Sequence, residues 1–208
     1  MEPLSNKLVI ATRNPGKILE FRRILDAISS GAIELIGIDQ FPHLVDVEEA
    51  GTSFEENALL KARYTAKMTG LPSISDDSGL CVDALGGAPG IFSARWAGTH
   101  GDDLANVKKV LDELRDVPDV KRGAHFICVA ALVMPDGREQ LAEGRFEGKI
   151  LRAPVGNSGF GYDPIFAPLG MSISSAEMSA QEKDSVSHRG KSLRAIAPHV
   201  IEILGGLG

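Results

Sequence analysis

Apolar and polar positions change period several times along this chain, and each change marks an element. Lys7–Ala11 (K-L-V-I-A) is a short apolar run with β-branched residues and reads as a buried strand. Ile18, Phe21, Leu25 and Ile28 then recur at helical spacing, with charged residues between them. Asn14 is placed to cap that helix, and Pro15 suits its first position. Glu34–Ile38 predicts a second strand. Ser53-Phe54-Glu55-Glu56 has the form of a capping box, and Gly70 followed by Pro72 closes the helix it opens. Phe54, Ala58, Ala62 and Ala66 give that helix a small-residue inner stripe. Ser73–Ser75 and Leu80–Ala84 predict two more short strands, with Asp76-Asp77-Ser78-Gly79 between them.

Gly86-Gly87-Ala88-Pro89-Gly90 is a tight loop, and Leu104, Val107, Leu111 and Leu114 define a further helix. His125–Met134 and Arg138–Arg145 flank Pro135-Asp136-Gly137 and predict a β-hairpin. A glycine-rich loop covers Gly156–Tyr162. Leu193, Ile196, Val200 and Ile203 predict a closing helix, which Pro198 is expected to bend. Helices and strands alternate throughout and include a hairpin, so the fold class is α/β with a mixed sheet.

Composition narrows the picture. With 208 residues, 43% hydrophobic and 24% charged, the chain can build a substantial core as one domain or two joined lobes. Its longest apolar run, Phe126–Met134, is too short to span a bilayer. The start, Met1–Lys7, has neither the basic beginning nor the apolar centre of a signal peptide, and a cytoplasmic location is expected. A formal net charge of −6 disfavours broad nucleic-acid binding but not a small anionic ligand. Cys81 and Cys128 stand in apolar surroundings and read as buried thiols, not a disulfide. Without C-x-x-C or H-E-x-x-H, a dedicated zinc site is not expected.

Four segments can carry chemistry. Thr12-Arg13-Asn14-Pro15-Gly16-Lys17 leaves a strand and enters a helix N-terminus, where backbone N–H groups and the helix dipole favour phosphate. An ordinary strand–helix turn has the same pattern, and the spacing is not that of a Walker A loop. Glu48-Glu49 and Asp76-Asp77 form the acidic segment. Carboxylates of this kind suit Mg²⁺, which takes one or two of them together with substrate phosphates; taken alone, the aspartates read rather as a solvent-facing turn whose side chains cap backbone groups, and Glu48-Glu49 as a solvated loop.

In Gly159-Phe160-Gly161-Tyr162-Asp163-Pro164, glycines on either side of Phe160 can offer its ring to a flat ligand, although Phe160 and Tyr162 could instead fill the core. Lys183 and Ser187-His188-Arg189-Gly190-Lys191 are basic, and can meet phosphate or a base carbonyl or simply serve a helix start. Neither a G-x-S-x-G elbow nor a Nudix signature is present.

Taken together, these segments resemble the inosine/xanthosine triphosphate pyrophosphatases, the non-standard purine NTP pyrophosphatase family. The resemblance rests on T-R-N-P-G-K (Thr12–Lys17), E-E-A-G-T-S-F-E-E-N-A-L-L-K-A (Glu48–Ala62), D-D-S-G-L-C-V-D-A-L-G-G-A-P-G-I-F-S-A-R (Asp76–Arg95), G-F-G-Y-D-P-I-F (Gly159–Phe166) and S-H-R-G-K (Ser187–Lys191). The blocks stand in the family's order from Val9 to about Leu193. Many members have glycine where Arg13 stands, and Ser172–Ser179 has no clear counterpart.

The resemblance implies an elongated mixed β-sheet flanked by helices, in two lobes of a single domain spanning residues 1–208, with the active site in the cleft between the lobes. It implies a homodimer that hydrolyses dITP, ITP and XTP to the monophosphate and pyrophosphate with Mg²⁺, cleansing the nucleotide pool. By motif position, Thr12, Arg13, Asn14, Pro15, Gly16 and Lys17 hold the triphosphate. Glu49 and Asp77 bind the metal with Asp76 nearby, and Asp77 is the proton acceptor for water attacking the α-phosphorus. Ser78, Phe160, Gly161, Tyr162, Asp163, Lys183, His188 and Arg189 contact the nucleotide. Two other readings are a septum-inhibitor-like pyrophosphatase acting on modified pyrimidine nucleotides and a non-catalytic nucleotide-binding protein. The S-H-R and F-G-Y-D blocks weigh against the first and the paired aspartates against the second.

Overall fold

The structure, a computed structural model, describes residues 6–204. Met1–Ser5, part of the start read above, lie outside the described residues. The elements follow in the order β1 (Lys7–Ile10), α1 (Pro15–Ser29), β2 (Glu34–Gly37), α2 (Phe54–Thr69), β3 (Ser73–Val82), α3 (Asp103–Glu113), β4 (Gly123–Val133), β5 (Glu139–Ile150), β6 (Phe166–Pro168), α4 (Ala180–Val186) and α5 (His188–Leu204). The six strands form one sheet in the order β2-β1-β3-β4-β5-β6. β1 runs parallel to β2 (Val9 opposite Ile36) and to β3 (Ile10 opposite Ile74), whereas β5 and β6 are antiparallel (Lys149 opposite Ala167). The fold is α/β with a mixed sheet, as the alternation of periods predicts.

The chain divides into two compact units. The first comprises the chain up to Asp77, Cys128–Gly144 and the chain from Arg189 on; the second comprises Ser78–Ile127 and Arg145–His188. The core of the first unit follows from strand alternation. Ala130, Leu132 and Met134 pack with Leu8, Ile10 and Ile74 and with Phe21, Leu25, Leu193, Ile196 and Val200 of α1 and α5. The intervening Ala131 and Val133 pack with Ala58, Leu59, Ala62 and Ala66 of α2. Successive side chains on a strand face opposite ways, so α1 and α5 cover one face and α2 the other. The second unit has its own core of Leu80, Val82, Val110, Leu114, Phe126, Phe146, Tyr162, Ile165 and Phe166.

Local chemistry sets the helix ends that position the site. Asn14 Oδ1 accepts the Lys17 N–H at 3.1 Å, with Pro15 opening α1. Ser53 Oγ caps α2 by accepting the Glu56 N–H, while Glu56 turns back to Thr52, accepting from its N–H and hydroxyl. Gly70 closes α2 in the left-handed conformation, φ 68°. The hairpin turn at Pro135–Gly137 is closed by Met134 N–H donating to the Arg138 carbonyl.

Three expectations are corrected. The two short strands flanking Asp76–Gly79 are one ten-residue strand, β3. Ser75, Asp76 and Asp77 each meet partners from other elements there, which offsets much of the cost of burying them in a strand. In α3 the inward face is Val107, Val110 and Leu114, and Leu104 is 84% exposed. Cys128 is buried, but beside Ser192 and Asp76 rather than in apolar surroundings, and Cys81 is only half-buried.

Candidate active site

In the first unit, the sheet carries Asp76 and Asp77 on adjacent residues of β3, where side chains alternate. Asp76 is fully buried. Its Oδ2 accepts from Arg189 Nη2 at 2.9 Å and Nε at 3.2 Å, and Lys17 Nζ lies 3.1 Å away. The same guanidinium bonds Glu20 through Nη1. Burial alone would push the Asp76 carboxyl up. The charges of Arg189, Lys17 and Lys61 outweigh it and hold the group well below the usual carboxylate range. The same exchange works in reverse on Arg189, where the Asp76 and Glu20 charges outweigh burial and strengthen its hold on the proton.

Asp77 has different neighbours. Asn57 Nδ2 donates to its Oδ2 at 3.1 Å, and Lys61 Nζ stands 3.8 Å from its Oδ1. That ammonium also holds Glu49 Oε1 at 2.5 Å. Burial pushes the Asp77 carboxyl above its ordinary value, against the pull of Lys61 and Lys17 and with a push from Glu49. Lys61 keeps its charge, because Asp77, Glu49 and Asp76 outweigh its own burial. One pair of adjacent aspartates is thereby split, one held ionised and one inclined to take a proton.

The first unit brings Lys17, Asp76, Asp77, Glu49 and Arg189 together through shared ion pairs. Glu49 and Asp77 converge on one cation, and Asp76 Oδ1 is a buried oxygen with no hydrogen-bond partner. This is a hard-oxygen donor set, and it fits Mg²⁺. Among the described residues, no three His, Cys, Asp or Glu side chains gather closely enough to cage a metal. Phosphate oxygens and water would have to complete its shell.

The turn before α1 is braced rather than open. Thr12 Oγ1 accepts from the Asn14 N–H at 3.2 Å. Arg13 points to the loop that follows β2, bonding Asp46 Oδ1 at 2.6 Å and the Leu44 carbonyl at 2.7 Å. Its backbone is not in the left-handed region, so the glycine that the family resemblance leads one to expect at this position is not demanded by conformation. The guanidinium of Arg189, expected at the nucleotide, is buried on Asp76 and Glu20 instead.

The second unit assembles the remaining residues around Asp163. Asp163 Oδ2 accepts from Lys183 Nζ at 2.5 Å and from the Phe160 N–H at 2.9 Å, and Lys183 Nζ lies 5.0 Å from the Phe160 ring centroid. Phe160 is half-buried and its face pairs with a cation. Gly161 N–H donates to Asp103 Oδ2 at 2.8 Å. Tyr162 belongs to the core, with its hydroxyl on the Ser93 carbonyl, so its ring is not offered to a ligand. His188 is buried and stacks on Phe126, ring centroids 4.7 Å apart and planes 10° from parallel. Ser78, the first residue of this unit, is half-buried on β3.

A model of the Ham1 family matches residues 8–199. The chain belongs to the Ham1 family. Among curated relatives, the dITP/XTP pyrophosphatase of Streptomyces coelicolor is 55% identical, over 96% of this chain and 99% of its own length. The crystal structure named nucleoside-triphosphatase / dITP/XTP pyrophosphatase from Mycobacterium abscessus is 50% identical, with a TM-score of 0.74 over 92% of this chain and 99% of that one. A HAM1 protein from Coxiella burnetii superposes with a TM-score of 0.83 at 40% identity, covering 94% of this chain and 98% of that one.

Three residues of this Ham1 chain escaped the sequence reading: Glu20, Asn57 and Lys61. Asn57 and Lys61 are four apart and therefore share one face of α2. That spacing was legible in E-N-A-L-L-K, but nothing local says what the face meets. Glu20 follows Lys17 by three residues on α1, a polar position interrupting an otherwise apolar stripe.

Proposed function

We propose that this Ham1 protein is a nucleoside triphosphate pyrophosphatase that hydrolyses dITP, ITP and XTP to the monophosphate and pyrophosphate with Mg²⁺. The observation that carries the proposal is the pair of aspartates on β3, with Lys17 on Asp76 and Lys61 shared between Asp77 and Glu49. Paired acids set among lysines suit a magnesium-bound polyphosphate better than any neutral ligand.

In the first unit, Thr12–Lys17 would receive the triphosphate at the positive end of α1, with the Lys17 ammonium as a point charge. Glu49 and Asp77, with Asp76 nearby, would hold the metal, which supplies charge neutralisation of the phosphates. Asp77, whose burial favours the proton, would take it from the water attacking the α-phosphorus, so that pyrophosphate leaves. Asp76 keeps its charge and steadies Lys17.

In the second unit, Phe160 would stack on a purine, worth about 1–3 kcal/mol. Lys183 and His188 would turn donors to the 6-oxo group that inosine and xanthosine carry. Adenine would leave such donors unpaired, at a cost of about 1–3 kcal/mol each. Asp163 would hold Phe160 and Lys183 in place. Treating the whole chain as one catalytic domain, its assembly as a homodimer and a cytoplasmic location belong to the same proposal and rest on the family resemblance.

The test is a product assay across ITP, dITP, XTP, ATP, GTP, dTTP and UTP with Mg²⁺. Pyrophosphate should be the first product, released fastest from ITP, dITP or XTP. Orthophosphate as first product, or a preference for pyrimidines, overturns the proposal.

A further inference from the structure

The side chain of Asn57 is fully buried and uses both ends of its amide. Its Nδ2 donates to Asp77 Oδ2 at 3.1 Å, and its Oδ1 accepts the Gly51 N–H at 2.8 Å. Gly51 lies two residues after Glu49, so one amide ties the loop carrying Glu49 to the strand carrying Asp77. The loop has little slack. Ala50 N–H donates to the Glu48 carbonyl at 3.0 Å, and Thr52 is pinned to Glu56. A Cβ at position 51 would stand 2.6 Å from Asn57 Oδ1 and 2.8 Å from Glu56 Cβ, closer than real contacts allow. The loop can lie against α2 only because residue 51 is glycine.

We infer that Asn57 is a positioning residue that sets the spacing of Glu49 and Asp77 for one divalent cation. The inference rests on the proposed metal reading of those two carboxylates. An apolar or charged residue at 57 could fill the space. Only a carboxamide offers, from one planar group, a donor for the carboxylate and an acceptor for the loop N–H. The bond to Asp77 is buried and the bond to the Gly51 N–H partly so, and the Asn57 side chain itself is shut off from solvent, so water repairs their loss poorly. Asn57 touches no reacting atom; it acts through the two acids.

The experiment uses Asn57→Ala, Asn57→Leu and Gly51→Ala in the full chain. Mn²⁺ binding to the nucleotide-free protein is followed by electron paramagnetic resonance, and kcat and KM for ITP are measured against Mg²⁺ concentration. We expect the Mn²⁺ dissociation constant and the half-activating Mg²⁺ concentration to rise tenfold or more. KM for ITP at saturating Mg²⁺ should stay within about twofold, since neither Lys17 nor the Phe160 loop is altered. Asn57→Leu, which keeps the volume, should be as impaired as Asn57→Ala; a leucine variant with wild-type metal affinity means that residue 57 only packs, and overturns the inference. Gly51→Ala displaces the loop from the other side and should give the same shift if the substitutions at 57 prevent folding. Wild-type metal affinity in all soluble variants defeats the inference while leaving the pyrophosphatase reading intact. A wild-type protein that neither binds Mn²⁺ nor responds to Mg²⁺ defeats both.

Discussion

Arg189 Nη2 lies 2.9 Å from Asp76 Oδ2, although the two residues are 113 positions apart in the chain and both are shut off from solvent. A guanidinium joined to Asp76 and Glu20 in this way is part of the folding machinery. Removing one member leaves the others as uncompensated buried charge. Arg189→Ala should therefore destabilise the protein by about 3–5 kcal/mol. Arg189→Lys should recover little, because a single ammonium nitrogen cannot replace the planar group that grips Asp76 through Nε and Nη2 while Nη1 holds Glu20. Urea unfolding followed by circular dichroism measures both. A stable alanine variant with altered base preference would restore Arg189 to the nucleotide instead.

The two aspartates should pull the stability–pH curve in opposite directions. Asp76 is held below its ordinary value, so its contribution is complete above the unfolded-state value of about 4 and is lost as pH falls below it. Asp77 is held above its ordinary value, so its contribution is complete below about 4 and is lost as pH rises through its folded value. Melting temperatures between pH 3 and 7 should drop steeply at the acid end in the wild type. Asp76→Asn should flatten that acid limb, whereas Asp77→Asn should leave it intact.

Asp77→Asn separates chemistry from folding. An amide keeps the shape and removes the proposed proton acceptor, so turnover should fall on the order of a hundredfold or more. Because burial already favours the neutral form of this side chain, the variant should melt at or above the wild-type temperature. Equilibrium dialysis should still detect ITP. Full turnover in this variant would remove Asp77 from its proposed role.

Lys61→Ala should make the fold depend on added metal. Without the ammonium, Glu49 and Asp77 lose the cation they share. In EDTA the melting temperature should fall by several degrees, and Mg²⁺ should raise it by more than it raises the wild type. Equal Mg²⁺ shifts in both proteins would mean that the metal does not go to these acids.

Gly159→Ala tests the second unit. A Cβ there would lie 2.1 Å from Asp163 Oδ2, and φ is +76°, so the substitution both strains the backbone and drives Asp163 off Lys183 and Phe160. KM for ITP should rise roughly tenfold, the equivalent of about 1.4 kcal/mol, with kcat largely kept. An unchanged KM would show that the loop does not hold the base.

What the sequence reveals depends on how locally each feature is encoded. The ends of α1 and α2 and the hairpin turn are written in adjacent residues, through Asn14-Pro15, Ser53, Gly70 and Pro135-Asp136-Gly137, and they stand as read. Strand β3 was misjudged because the groups that satisfy its polar side chains come from α1, α2 and α5. Helix α4 was missed despite its S-x-x-E start, in which Ser179 and Glu182 bond each other reciprocally. That Lys17 and the aspartates gather in one place was legible in their motifs. The burial of Arg189 and the inward turn of Tyr162 were not, because a motif gives a residue's place along the chain and not the direction of its side chain.

The adjacent aspartates on β3 also differ as historical markers. Asp76 holds Arg189 and Lys17 against the sheet, so any descendant that still folds has reason to retain it, whether or not it still turns over a substrate. Asp77 meets Lys61 and the Asn57 amide, and burial already favours the neutral form of its side chain, so folding alone gives little reason to preserve its carboxylate. In a lineage drifting away from catalysis, residue 77 would change first, and its identity would separate working enzymes from inherited scaffolds.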